Sequence, residues 1–474
     1  MWITIERESE LPLIRQIYDK IREMISDGSL VSGQKLPSTR TLSKELGVSR
    51  NTVLDVYNQM IAEGYLEAYQ GSGTIVAKGL QELKLPVRNV YEKQKNARRK
   101  DDDNDNIIDF RSGIPALEFF PQKEWARIYQ EVCSNLPVTA YGYCDASGVW
   151  KLREEIARYL LRSRGISCSP ERMIITSGST QGLSLIANLL NEHNKKVIVE
   201  NPSHPGLRKV ITSAGCMIEA ISADNRGLNT DALKPANDIS FFYTTPSHQY
   251  PLGGILSIQR RLSLIQYAEE NNCYIVEDDY DSEYRYEGQP VSSLYELNPD
   301  RVIYIGSFSK ILAPAIRLGF IILPDKLLTG CKTLKVYSDV HTDALTQNAM
   351  AEFIHRGRLD KHIWKMKKHY SQNRNHMLRE LTEQFPDEFE ILGQASGLHM
   401  VIRFHNVTFS KQLVKEITRQ GVHVYPIENY LLERNGEHRQ EILMGYSHLT
   451  LSKITEGLRI LSNVIRSYST TEER

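Results

Sequence analysis

Between residues 173 and 323, six short apolar runs alternate with helical patterns, and this alternation limits the possible folds more than any other feature of the chain. The runs are MIIT (173–176), VIV (197–199), ISFFY (239–243), YIV (274–276), VIYI (302–305) and GFIIL (319–323). Each is too short for a buried helix and rich in β-branched or aromatic residues, so each reads as a strand. Apolar runs without polar alternation suit strands buried on both faces, as in a parallel sheet with helical crossovers. In LREEIARYLL, between two such regions, Leu152, Ile156, Tyr159 and Leu160 share one helical face. The expectation is an α/β fold with a mainly parallel central sheet and helices on both faces.

Upstream, residues 79–106 include YEKQKNARRKDDDNDN, polar and almost free of apolar residues. A stretch this long without structure reads as a flexible linker between domains. It divides the chain into 1–78, the linker 79–106, and 107–474. The trio Arg98, Arg99 and Lys100 sits beside Asp101, Asp102 and Asp103, which fits a solvated linker better than a DNA contact. Over the 474 residues, 58 Lys and Arg balance 58 Asp and Glu. No global field therefore draws the chain to nucleic acid, and any such binding rests on a local patch. The start, MWITIERESE, lacks the charge and apolar core of a leader, and no apolar stretch reaches membrane-spanning length. Six unpaired-looking cysteines fit a reducing compartment, with neither disulfide framework nor metal site. A soluble, cytoplasmic protein is expected.

The first domain carries LPSTRTLSKELGVSRNTVLDVYNQMIAEGYL, residues 36–66. Ser38 is placed to cap a short helix ending near Leu46, Gly47 to make the tight turn, and Ser49 to cap the next helix. That helix buries Val53, Val56, Tyr57, Met60 and Ile61 and leaves Arg50, Asn51 and Thr52 exposed in its first turn, as a recognition helix does. YLEAYQGSGTIVA then reads as a hairpin whose tip holds Gly71 and Gly73. The domain has nine Lys or Arg against ten Asp or Glu, yet Lys35, Arg40, Lys44 and Arg50 cluster with only Glu45 among them. Phosphate contact needs such a patch. The sequence resembles the winged helix-turn-helix of GntR-type regulators, carrying most of PSxRxLSxxLGVSRxTVxxxYxxLxxEG. The resemblance implies contacts to promoter DNA from Arg40, Arg50 and the wing tip.

In the second domain, GSFSKILAPAIRLGF (306–320) sets Lys310 among Ser307, Ser309 and Arg317. An amine that captures an aldehyde, with hydroxyls and a planar cation for a phosphate, describes a pyridoxal phosphate site. EDDYDSEY places acids at the end of the YIV strand, where one can pair with a protonated pyridine nitrogen. TSGSTQG (176–182) links a strand to a helix start, a natural phosphate cradle. These elements resemble fold type I aminotransferases, and the whole chain resembles MocR/GabR-type regulators, which fuse such a domain to a GntR-type one. The resemblance implies that Lys310 forms the Schiff base, Asp278 meets the ring nitrogen and Tyr280 the phenolic oxygen. It implies further that Ser179, Thr180, Ser307, Ser309 and Arg317 hold the phosphate and that His204 stacks on the ring. Tyr143 is implied to reach across a homodimer, often domain-swapped, to the partner's phosphate. A small C-terminal subdomain is implied over about 351–474.

Two positions depart from the enzyme pattern. TPSHQYPLGG has Tyr250 where aminotransferases carry an asparagine, a change common in the regulators. MGYSHLT has His448 or a neighbour where a carboxylate-binding arginine stands, and the second arginine of the γ-aminobutyrate sensor would fall near Pro205 or Gly206, with Arg208 close by. The expected function is a pyridoxal-phosphate-dependent transcriptional regulator, not an enzyme. It binds two DNA half-sites and senses the cofactor itself or an amine or amino acid, controlling genes of vitamin B6 or amino-acid metabolism. The alternative is an active aminotransferase with an added DNA-binding domain.

Overall fold

The computed structural model describes residues 3–9, 11–69, 73–79, 107–192, 194–234, 236, 238–287, 291–393 and 396–472, the last four by backbone alone. The chain divides into two compact units, Met1–Asn104 and Asp105–Arg474. Residues 80–106 of the expected linker lie outside the described residues.

In the first unit, helices α1 (Leu13–Ser26), α2 (Thr39–Leu46) and α3 (Arg50–Ala62) precede a hairpin of β1 (Leu66–Tyr69) and β2 (Gly73–Val76). Ile17, Ile21, Leu42, Val53, Val56 and Met60 are fully buried between the helices. Burial of such side chains contributes roughly 1.5–3 kcal/mol each. Ile61 is only half-buried, packed at the margin of this core. Lys35 bridges Ile75, which adds a third short extended segment beside the hairpin.

The second unit begins with β3 (Ile108–Asp109), α4 (Gln122–Asn135), α5 (Trp150–Arg164), β4 (Met173–Thr176), α6 (Ser179–Leu190), β5 (Lys196–Asn201) and α7 (Pro205–Ser213). It continues through β6 (Met217–Asp224), β7 (Gly227–Leu228), β8 (Ile239–Thr244), α8 (Ile258–Glu270), β9 (Tyr274–Asp279), α9 (Leu294–Leu297), β10 (Val302–Ser307), β11 (Gly319–Ile322), α10 (Asp325–Asp339) and α11 (Ala344–His355). The remainder is α12 (Arg358–Gln384), β12 (Phe389–Leu392), β13 (His399–Phe404), α13 (Lys411–Arg419), β14 (Val422–His423), β15 (Tyr425–Pro426), β16 (Glu441–Gly445) and α14 (Leu451–Glu472).

The main sheet has eight strands in the order β4-β11-β10-β9-β8-β5-β6-β7. β6, β5, β8, β9 and β10 run parallel to one another. Alternate residues enter two cores, as a pleated strand requires. Val197, Val199, Phe241, Val276, Ile303 and Ile305 face the core that includes α6 and α10. Ile198, Phe242, Ile275, Val302 and Tyr304 face the other. All six apolar runs are strands. β6, MIEAISAD, was not among them, because near the edge it is only partly covered and so carries no continuous apolar run.

GFIIL departs from the parallel pattern. β11 is antiparallel to both β10 and β4. The connection from β10 has no crossover helix, only a short 3₁₀ turn at Pro314–Ile316. A parallel return needs a crossover of a dozen or more residues, usually helical, so the chain folds straight back. Lys310 lies in that return.

A second sheet, β12-β13-β16-β15, is antiparallel. The first segment of this unit is tied to it. β3 pairs with β14, and Gly445 N donates to the Phe110 carbonyl at 2.7 Å. Residues 108–114 are thereby laid along the end of β16, next to the carboxyl ends of the main-sheet strands.

Candidate functional site

The carboxyl ends of β8, β9 and β10 bring the predicted residues together, where ligands bind in open α/β sheets. Asp278, near the end of β9, is buried and accepts from the Tyr243 hydroxyl at 2.5 Å. Burial raises its carboxyl to about 6, helped by Asp279 and Asp281 and opposed by the Tyr243 bond and Lys310. The Lys310 amine donates to the Gly113 carbonyl at 2.6 Å. Burial depresses its ionisation below the ordinary lysine value, while Asp281 and Asp278 pull the other way. A desolvated amine thus stands within electrostatic reach of a buried carboxyl that lacks a strong cationic partner.

Tyr280 sits beside them. Its hydroxyl lies 3.0 Å from both the carbonyl and the Nδ1 of His248. His248 Nδ1 also lies 3.1 Å from Asp281, which as a carboxylate needs the N–H, so the tyrosine proton goes to the carbonyl. His399 stacks on His248 at 4.9 Å and 28° and donates through Nε2 to the Pro251 carbonyl at 3.1 Å. Three ligand-type atoms of His248, Asp281 and His399 fall within 4.8 Å. The near-parallel rings, however, keep their lone pairs in near-parallel planes rather than aimed at one point.

Ser179 and Thr180 open α6, where backbone N–H groups lack helical partners. Gly178 precedes them at φ +101, and a Cβ there would lie 3.1 Å from the Arg317 guanidinium. Arg317 donates to the Ser177 carbonyl and itself holds φ +51, an unusual conformation for a non-glycine residue. Ser307 Oγ accepts from the Ser309 N–H at 3.1 Å. Ser177, Thr180, Gln181, Lys209 and Arg317 line a cleft of about 470 Å³. Donors at a helix start, a guanidinium over a glycine, a desolvated lysine and a buried carboxyl form a set that fits a phosphorylated pyridine aldehyde.

His204 caps α7, accepting from Gly206 N at 3.1 Å, and its ring lies 5.4 Å from that of Tyr250. Burial and the charge of Lys310 hold it below the ordinary histidine range. The Tyr250 hydroxyl pairs with Ser112 Oγ at 2.7 Å, and its ring meets those of Tyr280 and Tyr430 edge-on. Tyr143 is elsewhere on its own chain, 88% exposed and edge-on to His341.

The two expected effector residues are tied to backbone. Arg208 donates to the carbonyls of Tyr430 and Leu431. His448 Nε2 donates to the Asp109 carbonyl at 2.9 Å, and burial disfavours its protonation. Sequence reasoning passed over Ser112, Gly113, Tyr243 and Asp281. Asp281 stood in EDDYDSEY beside the chosen acid. The others had no motif, since their roles come from contacts distant in sequence.

In the first unit, Ser38 Oγ accepts from Thr41 N at 3.1 Å and Ser49 Oγ from Thr52 N at 3.0 Å. Gly47 holds φ +63 between the helices. Lys35, Arg40, Arg50 and Asn51 are exposed, Thr52 half so. Arg50 Nε lies 3.5 Å from Thr39 Oγ1. Gly73 holds φ +93 in the hairpin, and Gly71 lies outside the described residues.

Comparison with known proteins assigns a family to each of the two units. The model of aminotransferase class I and II matches residues 105–448, and that of bacterial regulatory proteins of the gntR family matches 13–76. The probable rhizopine catabolism regulatory protein MocR of Rhizobium meliloti is 31% identical over 97% of this chain and 95% of its own. The pyridoxine biosynthesis transcriptional regulator PdxR of Corynebacterium glutamicum is 32% identical over 88% of each chain. Among solved structures, the multiple substrate aminotransferase of Thermococcus profundus covers 78% of this chain and 93% of its own, at 26% identity and a TM-score of 0.71. The kynurenine aminotransferase of Pyrococcus horikoshii, solved with pyridoxamine phosphate, covers 82% and 96% at 26% identity and a TM-score of 0.70. The chain belongs to the aminotransferase class I and II family and, with its gntR-family domain, to the MocR-type transcriptional regulators. Pyridoxal phosphate is the cofactor of this class. All six cysteines are free thiols, and among the described residues no helix is long and apolar enough to cross a membrane.

Proposed function

We propose that this protein is a cytoplasmic, homodimeric regulator that reports the state of a pyridoxal phosphate site to promoter DNA without sustained turnover. The observation that carries this is the desolvated Lys310 amine, held at 2.6 Å by the Gly113 carbonyl within electrostatic reach of the buried Asp278, in a chain that also exposes Arg50 and Asn51 at the start of a capped helix. Bound there, the cofactor supplies an aldehyde to Lys310. Ser179, Thr180, Ser307, Ser309 and Arg317 take the phosphate. Asp278, as a carboxylate, would keep the ring nitrogen protonated, Tyr280 and Tyr250 would meet the phenolic side, and His204 would cover the ring. The exposed Tyr143 completes the phosphate site of the second copy, in a dimer whose chains exchange their N-terminal domains. Lys35, Ser38, Arg40, Ser49, Arg50, Asn51, Thr52, Gly71 and Gly73 form the DNA surface, one half-site per chain.

Regulation rather than turnover is favoured by Tyr250 and by His448, whose ring edge is committed to a backbone carbonyl. Coupling requires that the ligand bind one DNA-binding geometry better than the other. The test uses the full chain and DNA selected from a random pool, with cofactor occupancy followed by visible absorbance. DNA affinity should change with occupancy in the native protein, and Lys310→Ala should retain DNA binding but lose that response. Steady amine transfer from an amino acid to a 2-oxo acid, with no specific DNA retention, would instead establish the enzyme.

A further inference from the structure

The segment Asp109–Gly113 touches the end of β16 through the Phe110 carbonyl and Lys310 through the Gly113 carbonyl. The Gly113 carbonyl accepts from Lys310 at 2.6 Å and Ser112 Oγ pairs with Tyr250 at 2.7 Å. Two positions before Gly113, the Arg111 side chain is 60% exposed. Its Nε donates to the Tyr425 hydroxyl at 3.2 Å, and its Nη2 lies 3.3 Å from Asp109. Among the described residues Nη1 has no partner, so part of the guanidinium fork stays open to solvent. Arg111 is close enough to Tyr430 and to His448 to influence the ionisation of both. Tyr430 in turn meets Tyr250 edge-on at 5.7 Å. His448 itself is a poor carboxylate partner, since its Nε2 is spent on the Asp109 carbonyl and its Nδ1 is buried and unpartnered.

We propose that Arg111 binds the carboxylate of an amino-acid effector whose amine is directed to the Lys310 side of the same segment. The cation that the C-terminal segment lacks at His448 is supplied beside it by the N-terminal segment of the domain. A guanidinium keeps its charge at all working pH values and offers donors in a plane that matches a carboxylate, which a neutral histidine does not. Tyr425 and Asp109 hold Nε and Nη2, so Nη1 is presented in one orientation at little entropic cost. Asp109 lowers the net charge of the subsite, which favours a monocarboxylate over a dicarboxylate. This inference rests on the proposed sensor reading of the cofactor site.

The test titrates the cofactor-loaded full chain with a panel of monocarboxylic α- and β-amino acids of both hands, each beside the amine lacking the carboxyl group. Half-saturation is read from visible absorbance and, in parallel, from DNA retention. At least one amino acid should act at concentrations where its amine does not. For that amino acid, Arg111→Gln should raise half-saturation roughly tenfold or more, the loss expected for a charge-assisted pair. It should raise that of the amine far less. Tyr425→Phe, which frees the fork but keeps the charge, should give a smaller rise, and His448→Gln less than threefold. An unchanged response of Arg111→Gln to the amino acid overturns the proposal, as does equal action of amine and amino acid or a response that depends on His448 instead. Failure of the native chain to show a cofactor band overturns the sensor reading itself, which separates the two.

Discussion

Removing the charge of Asp278 should stabilise the cofactor-free protein while weakening its hold on the cofactor. Burial lifts this carboxyl from 3.8 to about 6, and the neighbouring Asp279 and Asp281 add to the lift. A carboxyl raised in the fold contributes its full stability only below its unfolded value, and loses it as pH rises through the folded one. At 1.36 kcal/mol per tenfold change, the ionised side chain costs the fold about 3 kcal/mol at pH 8 and about 1.5 kcal/mol at pH 5. Asp278→Asn keeps the shape, and its side-chain carbonyl still accepts from Tyr243, whose hydroxyl lies 2.5 Å from the carboxyl. Urea denaturation of the cofactor-free full chain, following the transition of the larger unit, should therefore show the variant more stable by about 3 kcal/mol at pH 8, the gain shrinking by about half at pH 5. Cofactor should reverse the order, because a protonated ring nitrogen stabilises the carboxylate and not the amide. Affinity for pyridoxal phosphate should fall roughly 10- to 150-fold in the variant, the range for a charged hydrogen bond. A variant no more stable than the native chain at pH 8, or a gain independent of pH, would refute the view that Asp278 is a buried charge awaiting its partner.

Three other outcomes follow from the geometry. Gly178→Ala places a Cβ 3.1 Å from the Arg317 guanidinium at φ +101, so pyridoxal phosphate affinity should drop about tenfold or more in a visible titration, with a strain cost of roughly 1–3 kcal/mol. Arg164 and Asp279 form a buried pair at 2.9 Å, and Arg164→Leu should cost roughly 3–5 kcal/mol in urea denaturation because Asp279 is left uncompensated. Ser49→Ala removes the cap accepted from Thr52 N and should cost the N-terminal unit about 1 kcal/mol, whereas Arg50→Ala should leave stability alone and flatten the salt dependence of DNA retention by about one charge.

Much of the site was readable because its signals are local. Lys310, Arg317 and the Gly178 turn are marked by residue type at short spacing, and Ser38 and Ser49 act on N–H groups three residues away. The six apolar runs were legible because full burial on both faces demands continuous apolar sequence. β6 was not, since a half-covered strand near the edge tolerates polar residues. The direction of β11 was hidden because an apolar run carries no sign of which way its strand points, and only the length of the connection decides it.

The sequence by itself determined two domains, a capped recognition helix, a sheet buried on both faces and a lysine placed for an aldehyde, because each follows from periodicity, propensity or residue chemistry within a few positions. The tertiary structure alone decided that Tyr243 rather than a nearby residue bonds Asp278, that His448 turns to the Asp109 carbonyl, and that Arg111 stands beside it. Those pairings join positions up to some 340 residues apart. The Tyr243–Asp278 bond needs β8 laid beside β9, and the placements of His448 and Arg111 need β3 docked on β14 and the Phe110 carbonyl on Gly445, long-range closures that leave no periodic trace in the chain.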